Sequence, residues 1–196
     1  MASSLSTFTT KSGFLLPSIH SAPPFFTQQP NPTTQSLIND QWIRLICSYA
    51  RHRRLFFLKA EDAELKDGDN VEGAEWADVL RNERINRRIS AKYLESMIST
   101  LVAKNLAVYD PPKQTRRVLV LWRSVDEWAG SLAEWAFSTA QLNTILTYYD
   151  ITEPVVPSEL TGIPESLLKK AIQVLVKQGR AQTLSVSDGE GVRIFR

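Results

Sequence analysis

Two stretches decide the fold: "ISTLVAKNLA", Ile98–Ala107, and "IQVLVKQGRA", Ile172–Ala181. Ile, Leu, Val and Ala recur in register, and Asn105 falls where the second copy has Gly179. Glycine and asparagine are the residues that best tolerate the left-handed backbone closing many helices. Each copy therefore reads as an amphipathic helix that stops at the same place. Strand-like residues follow both: Leu106–Asp110 and Arg116–Trp122 around Pro111-Pro112, then Arg180–Val186 and Val192–Phe195 around Asp188-Gly189. The second turn is a strong hairpin signal. A helix, a left-handed stop and a hairpin, occurring twice, describe two winged-helix domains.

Working outward, another amphipathic helix precedes each copy. Ile38, Trp42, Leu45, Ile46 and Tyr49 fall at i, i+4, i+7, i+8 and i+11, one face of a helix. Thr33 or Thr34 is its expected cap, and Leu55–Leu58 reads as a short buried strand. Ser90 caps the helix that carries Leu94, Ile98, Leu101 and Val102. In the second half Ser124 and Glu127 have the spacing of a capping box, ahead of a stripe of Trp128, Leu132, Trp135 and Ala136. Ile145 and Leu146 form a short strand, Thr147 caps a short helix to Ile151, and Ile163-Pro164 opens the last helix. Its core face is Leu168, Ala171, Ile172, Leu175 and Val176.

The fold class is thus α+β, mostly helical, with two tandem winged-helix domains after an extended Pro-rich N-terminal segment. The expected organisation is a disordered tail over 1–22, an extended segment over 23–32, a first domain over 33–123 and a second over 124–196. An acidic loop, about 60–79, contains Glu61, Asp62, Glu64, Asp67, Asp69, Glu72 and Glu75 around Gly68 and Gly73; it is expected to loop out into solvent. Arg81, Arg84, Arg87 and Arg88 follow, and the two clusters are expected to neutralise each other.

Composition narrows the function. A net charge of +2 in 196 residues demands neither nucleic acid nor an acidic membrane. One cysteine, Cys47, excludes an intramolecular disulfide and points to a reducing compartment. No apolar run approaches the roughly 18 residues of a bilayer span. The first twenty residues are rich in Ser and Thr and free of acids, like a transit peptide, but they lack arginine, and a disordered tail is the plainer reading. No catalytic constellation, cofactor loop or metal-ligand spacing is found. His20 falls in the tail, His52 sits in "RHRR" at a helix end, and Cys47 lies beside the apolar stripe as small core filler. The rival reading is a winged-helix DNA-binding regulator. Lys169, Lys170, Gln173, Lys177 and Gln178 would then read base edges from the last helix. The earlier helix offers only Lys92 and Lys104, so a solvated face is the simpler account.

Protein–protein contact remains, and "SAPPFFTQQPNPTT", Ser21–Thr34, is where it would occur. Proline pre-sets the backbone, so a Pro-Pro segment loses little entropy on docking. Phe25 and Phe26 either anchor a partner or fold back into their own domain. The residues leave both open. In the first case a Phe25→Ala/Phe26→Ala variant stays folded and loses its partner; in the second it unfolds.

Five pieces in order carry a resemblance to a known family: "PPFFTQQPN", "QWIRLICSYAR", "VLVLWRSVDEWA", "IPESLLKKAIQVL" and "DGEGVRIF". Together they resemble the small subunits of the endosomal sorting complex ESCRT-II, the vacuolar protein sorting-associated protein 25 family, from about Leu16 to the end. The resemblance implies a non-enzymatic chain, present in two copies beside two larger subunits. It implies that Pro23, Pro24, Phe25 and Phe26 dock on the larger subunits. The second domain would recruit an ESCRT-III subunit related to charged multivesicular body protein 6. The complex would be cytoplasmic, peripherally recruited to endosomal membranes, and would sort ubiquitinated cargo into multivesicular bodies. This chain departs from the family pattern at "PSIH", Pro17–His20, where an upstream copy of the motif has lost a proline and its tyrosine. The main copy ends in Phe26 rather than tyrosine, and the acidic loop is longer than in short members.

Overall fold

The computed structural model describes residues 7–66, 70, 72–186 and 189–196. The chain divides between Trp122 and Arg123 into two compact units; the sequence-based expectation began the second domain at Ser124.

The first unit opens with a two-stranded ribbon of β1 (Phe8–Thr9) and β2 (Leu15–Leu16). Helix α1 (Pro32–Arg53) follows and buries Ile38, Trp42, Leu45, Ile46 and Tyr49, the stripe set by the spacing. Its cap is Asn31, not Thr33 or Thr34. The Asn31 Oδ1 accepts from the backbone N–H groups of Thr33 at 3.0 Å and Thr34 at 3.1 Å. Pro32 then occupies the first helical position, where a missing N–H costs nothing. After β3 (Phe57–Lys59) come α2 (Ala77–Leu80), the ribbon β4 (Arg81–Asn82) and β5 (Arg87–Arg88), α3 (Ala91–Ala103), β6 (Ala107–Tyr109) and β7 (Arg117–Val120). The sheet order is β3-β7-β6, all antiparallel.

The second unit runs α4 (Val125–Ser138), β8 (Ile145–Thr147), α5 (Tyr148–Thr152), α6 (Glu165–Lys177), β9 (Ala181–Val186) and β10 (Gly189–Ile194). Its sheet order is β8-β10-β9, the same arrangement. The capping box forms: Glu127 N–H donates to Ser124 Oγ at 3.1 Å, and Ser124 N–H to Glu127 Oε2 at 2.9 Å. Asp188, part of the anticipated hairpin turn, lies outside the described residues.

The sequence echo is a structural repeat at the level of single hydrogen bonds. Asn105 and Gly179 are left-handed, with φ of 57° and 71°. Asn105 N–H donates to Val102 O and Gly179 N–H to Val176 O, both at 3.0 Å. One residue on, Leu106 N–H reaches Leu101 O at 2.9 Å and Arg180 N–H reaches Leu175 O at 2.8 Å, the paired bonds that terminate a helix on a left-handed residue. Each hairpin then begins in the same register, Ala107 opposite Val120 and Ala181 opposite Ile194. Leu94, Met97, Ile98 and Leu101 are buried on α3 where Leu168, Ala171, Ile172 and Leu175 are buried on α6.

Three expectations are corrected. Residues 7–22 are not a disordered tail: they form the β1–β2 ribbon and a 3-10 turn, Ser18–Ser21, with Leu16 and His20 buried. Residues 23–32 are not extended throughout, because Pro23–Phe26 form a second 3-10 turn. The described part of the acidic segment does not loop out. Ala60–Glu64 and Ala74–Trp76 are 3-10 turns leading into α2, and Ala63, Trp76, Val79 and Leu80 join the core. The apolar side chains interspersed among the acids account for this, and Trp76 Nε1–H donates to Phe57 O at 2.8 Å. Asp67, Gly68 and Asp69 lie outside the described residues. Two of the described acids pair with other cations: Glu61 with Arg116 at 3.3 Å, and Glu72 with Lys59 at 2.7 Å and Arg117 at 3.9 Å.

Candidate partner-docking site

The Pro-Pro-Phe-Phe segment is built into the first unit. Pro23 and Pro24 fix the backbone of a single 3-10 turn, closed by Phe25 N–H to Ala22 O at 3.0 Å and Thr27 N–H to Pro24 O at 3.2 Å. The turn points the phenylalanines inward. Phe25 is 1% and Phe26 4% exposed, whereas Pro23 and Pro24 are both exposed. The arrangement therefore sorts the four residues that sequence brought together: two rings inside, two pyrrolidines outside.

Trp42 of α1 receives the rings. Phe25 stacks on its indole with centroids 4.2 Å apart and planes 11° from parallel. Phe26 meets the indole edge-on at 5.5 Å and Phe25 edge-on at 5.7 Å, both favourable quadrupole geometries. The indole Nε1–H donates to Phe25 O at 2.8 Å, satisfying a buried donor and tying the turn's backbone to the helix. Outside, Gln29 Nε2 donates to Pro24 O at 3.0 Å and Thr27 O at 2.8 Å, fastening the exit strand.

His20 closes the other side. Its ring lies 5.0 Å from Phe26 and 6.1 Å from Phe25. Nε2 is 2.8 Å from Val79 O; a carbonyl only accepts, so Nε2 carries the proton. Nδ1 then accepts from Asn82 Nδ2 at 3.3 Å, and the same amide donates to His20 O at 2.8 Å. Burial holds the His20 pKa below its ordinary value, with the Val79 carbonyl opposing. Here "PSIH" has a definite place: its histidine is a wall of the aromatic cluster rather than a free motif residue.

Three residues of this site were not singled out as site residues by sequence reading. Trp42 was legible only as one member of a helical stripe. His20 and Asn82 are separated by sixty-odd positions of sequence, so no local pattern joins them. Of the residues weighed for catalysis, Cys47 is half-buried and burial pushes its thiol up to about 11, which disfavours the thiolate a nucleophile needs. His52 is exposed and its Nε2 lies 3.0 Å from Ser12 O. Among the described residues no group of three or more His, Cys, Asp or Glu could hold a metal ion. No helix searched is long and apolar enough to cross a membrane. Lys169, a would-be base reader on α6, bridges Glu165 at 2.9 Å and Glu190 at 3.0 Å, and both contacts hold its pKa above the usual lysine value.

The sequence profile described as "ESCRT-II complex subunit" matches residues 19–164, beginning just before the Pro23–Phe26 turn. Vacuolar protein-sorting-associated protein 25 of Danio rerio is 30% identical over 88% of this chain and 94% of its own. The Homo sapiens protein of the same name is 28% identical over 88% and 93%. A crystal structure of subunit VPS25 of the endosomal trafficking complex ESCRT-II superposes with a TM-score of 0.75 at 25% identity, covering 91% of this chain and 98% of that one. A chain in the crystal structure of the endosomal complex ESCRT-II (VPS22/VPS25/VPS36) has the same fold, with a TM-score of 0.75 at 24% identity over 94% of this chain and 100% of that one. With two winged-helix units and this spread of relatives, the chain belongs to the family of ESCRT-II complex subunits.

Proposed function

We propose that this chain is the small, non-enzymatic subunit of an ESCRT-II complex in endosomal trafficking. It joins two larger subunits, with two copies of it per complex, and its second unit recruits an ESCRT-III subunit related to charged multivesicular body protein 6. The complex acts in the cytoplasm, peripherally on endosomal membranes, in sorting ubiquitinated proteins to multivesicular bodies. No nucleic acid enters this reading. A solved VPS22/VPS25/VPS36 assembly that contains a relative of the same fold supports the larger subunits as partners.

One observation carries the docking assignment. Pro23 and Pro24 stand exposed on a turn whose other two residues are locked under Trp42. A rigid apolar knob loses little conformational freedom on binding. Pro23 and Pro24 therefore make the contact, while Phe25 and Phe26 hold the knob in place. This revises the picture of rings inserted into the partner. Withdrawing both from the core would forfeit roughly 3–6 kcal/mol of burial, a large fraction of a domain's stability.

The test separates the two roles. Pro23→Ala/Pro24→Ala should keep the melting temperature within a few degrees and lose co-purification with the larger subunits. Phe25→Ala should melt far lower, in line with about 3–5 kcal/mol for removing a buried phenylalanine ring. Unchanged stability of Phe25→Ala with lost capture would restore the inserted-ring picture.

A further inference from the structure

His20 ties the docking turn to the elements behind it. It lies in the 3-10 turn Ser18–Ser21, which runs into Pro23–Phe26 through Ala22. Ala22 N–H donates to Ile19 O at 2.9 Å, and Ala22 O accepts from Phe25 N–H at 3.0 Å. The His20 side chain reaches α2 at Val79 O and β4 at Asn82. β5, the partner of β4, also lies against the Pro23–Phe26 turn. Turn and ribbon are therefore neighbours, and the His20–Asn82 bond joins them.

The surroundings fix the pair in one protonation state. Asn82 Oδ1 accepts from Arg84 N–H at 3.1 Å, and Asn82 Nδ2 donates to His20 O at 2.8 Å. Turning the amide over would set oxygen against oxygen and N–H against N–H. Nδ2 therefore also faces His20 Nδ1 as a donor, at 3.3 Å, and that ring nitrogen must be unprotonated. A second ring proton would point at the amide hydrogens and turn an attraction into a repulsion. His20 is 1% and Asn82 8% exposed, so water is not at hand to relieve it. The charged groups lining the hollow beside His20 are Lys11 between β1 and β2, Asp78 of α2, Arg81 of β4, and Glu83 and Arg84 of the turn after it. Asp78 accepts from the Tyr49 hydroxyl at 3.1 Å, and Glu83 holds Arg81 at 2.7 Å. Three cations against two engaged acids oppose a charged ring, and the aromatic walls Phe25, Phe26 and Trp42 carry no charge.

We propose that His20 and Asn82 are positioning residues for docking: their hydrogen bond sets the Pro23–Phe26 turn in its partner-binding form, and a proton added to His20 Nδ1 releases it. The inference rests on the reading that this turn meets the larger subunits. It couples docking to pH with a fixed sign. The folded pKa of His20 lies below the ordinary 6.5, so the docking form is present at neutral pH and is lost as pH falls through that lower value.

The full chain is titrated calorimetrically with the co-purified larger subunits at about pH 7.5 and about pH 5. The Trp42 indole N–H resonance, whose proton is donated to Phe25 O at 2.8 Å, is followed in the free chain over the same range. His20→Gln has no titrating ring, and Asn82→Asp replaces the donor by an acceptor that suits a doubly protonated ring. The parent's affinity should fall about tenfold or more towards acid, and its indole resonance should shift as His20 titrates. His20→Gln should give the flatter profile, and Asn82→Asp should gain on the parent as pH falls. Acid effects on the larger subunits are common to all three chains and cancel in the ratios. Equal slopes for the parent and His20→Gln, a folded Asn82→Asp that follows the parent's slope, or an indole resonance that stays put while His20 titrates overturns the proposal. If a variant does not fold, the indole shift of the parent decides. A parent that binds the larger subunits at neither pH removes the proposed function instead, and the indole shift still judges the pair.

Discussion

His20 and Asp62 are the two buried groups whose charge the fold most plainly disfavours, and they pull in opposite directions. His20 holds its Nε2 proton against Val79 O and offers an unprotonated Nδ1 to Asn82. Its folded pKa lies below the ordinary value of 6.5, so its stabilising contribution is present above that pH and is lost as pH falls towards the folded value. Burial pushes Asp62 up to about 6, so its neutral form suits the fold and its contribution is lost as pH rises through that value. Ring-nitrogen NMR should show His20 as the neutral Nε2–H tautomer at pH 7, titrating below 6.5; a charged ring there would contradict the assigned bonds. Asp62→Asn should melt higher than the parent near about pH 7.5, with the gap narrowing near about pH 5. The amide keeps an acceptor for Lys59 N–H, now 2.8 Å from Asp62 Oδ2. A gap that is absent, or that widens in acid, would refute the burial argument. Neither residue advertised this in the sequence: a lone histidine among Ser and Pro has no periodicity, and one aspartate among seven acids looks solvated. Gly73 is the one local sign, since a Cβ there would stand 2.1 Å from Asp62 Oδ1.

Helices and their stops were far more legible, because the 3.6-residue period repeats many times within one element. Asn105 and Gly179 could be placed by residue type alone. The first helix of each unit ends the same way, yet at residues with no such preference: Arg54 with φ of 56° and Ala140 with φ of 57°. Leu55 N–H to Ala50 O and Gln141 N–H to Ala136 O, both 2.8 Å, hold those turns. Alanine is strained there and glycine is not, so Ala140→Gly should stabilise the second unit by about 0.5–1 kcal/mol. Urea unfolding would show this as a higher midpoint at unchanged slope; a lower midpoint would mean that the added freedom of the unfolded chain dominates. Short elements were the ones missed. The ribbon β4–β5 and the 3-10 turns carry too few residues for a pattern to rise above composition, and α2 was hidden inside an acidic run.

At the level of the whole chain, the repeat in sequence correctly foretold two winged-helix units, each with its own sheet order and buried helix face. Residues 123–196 expressed alone should therefore give a cooperative thermal transition; a broad, non-cooperative melt would show that the second unit depends on the first. The N-terminal segment was where sequence ran out. Proline rigidity and ring burial are compatible with both an outward and an inward placement of Phe25 and Phe26, and only Trp42, reached through folding, decides between them. The central claim is that this inward placement makes Pro23 and Pro24 the contact. Co-expression of Pro23→Ala/Pro24→Ala with the two larger ESCRT-II subunits tests it most directly: the account predicts a folded chain that no longer co-purifies with them, and a folded chain retained at the parent's level would contradict it.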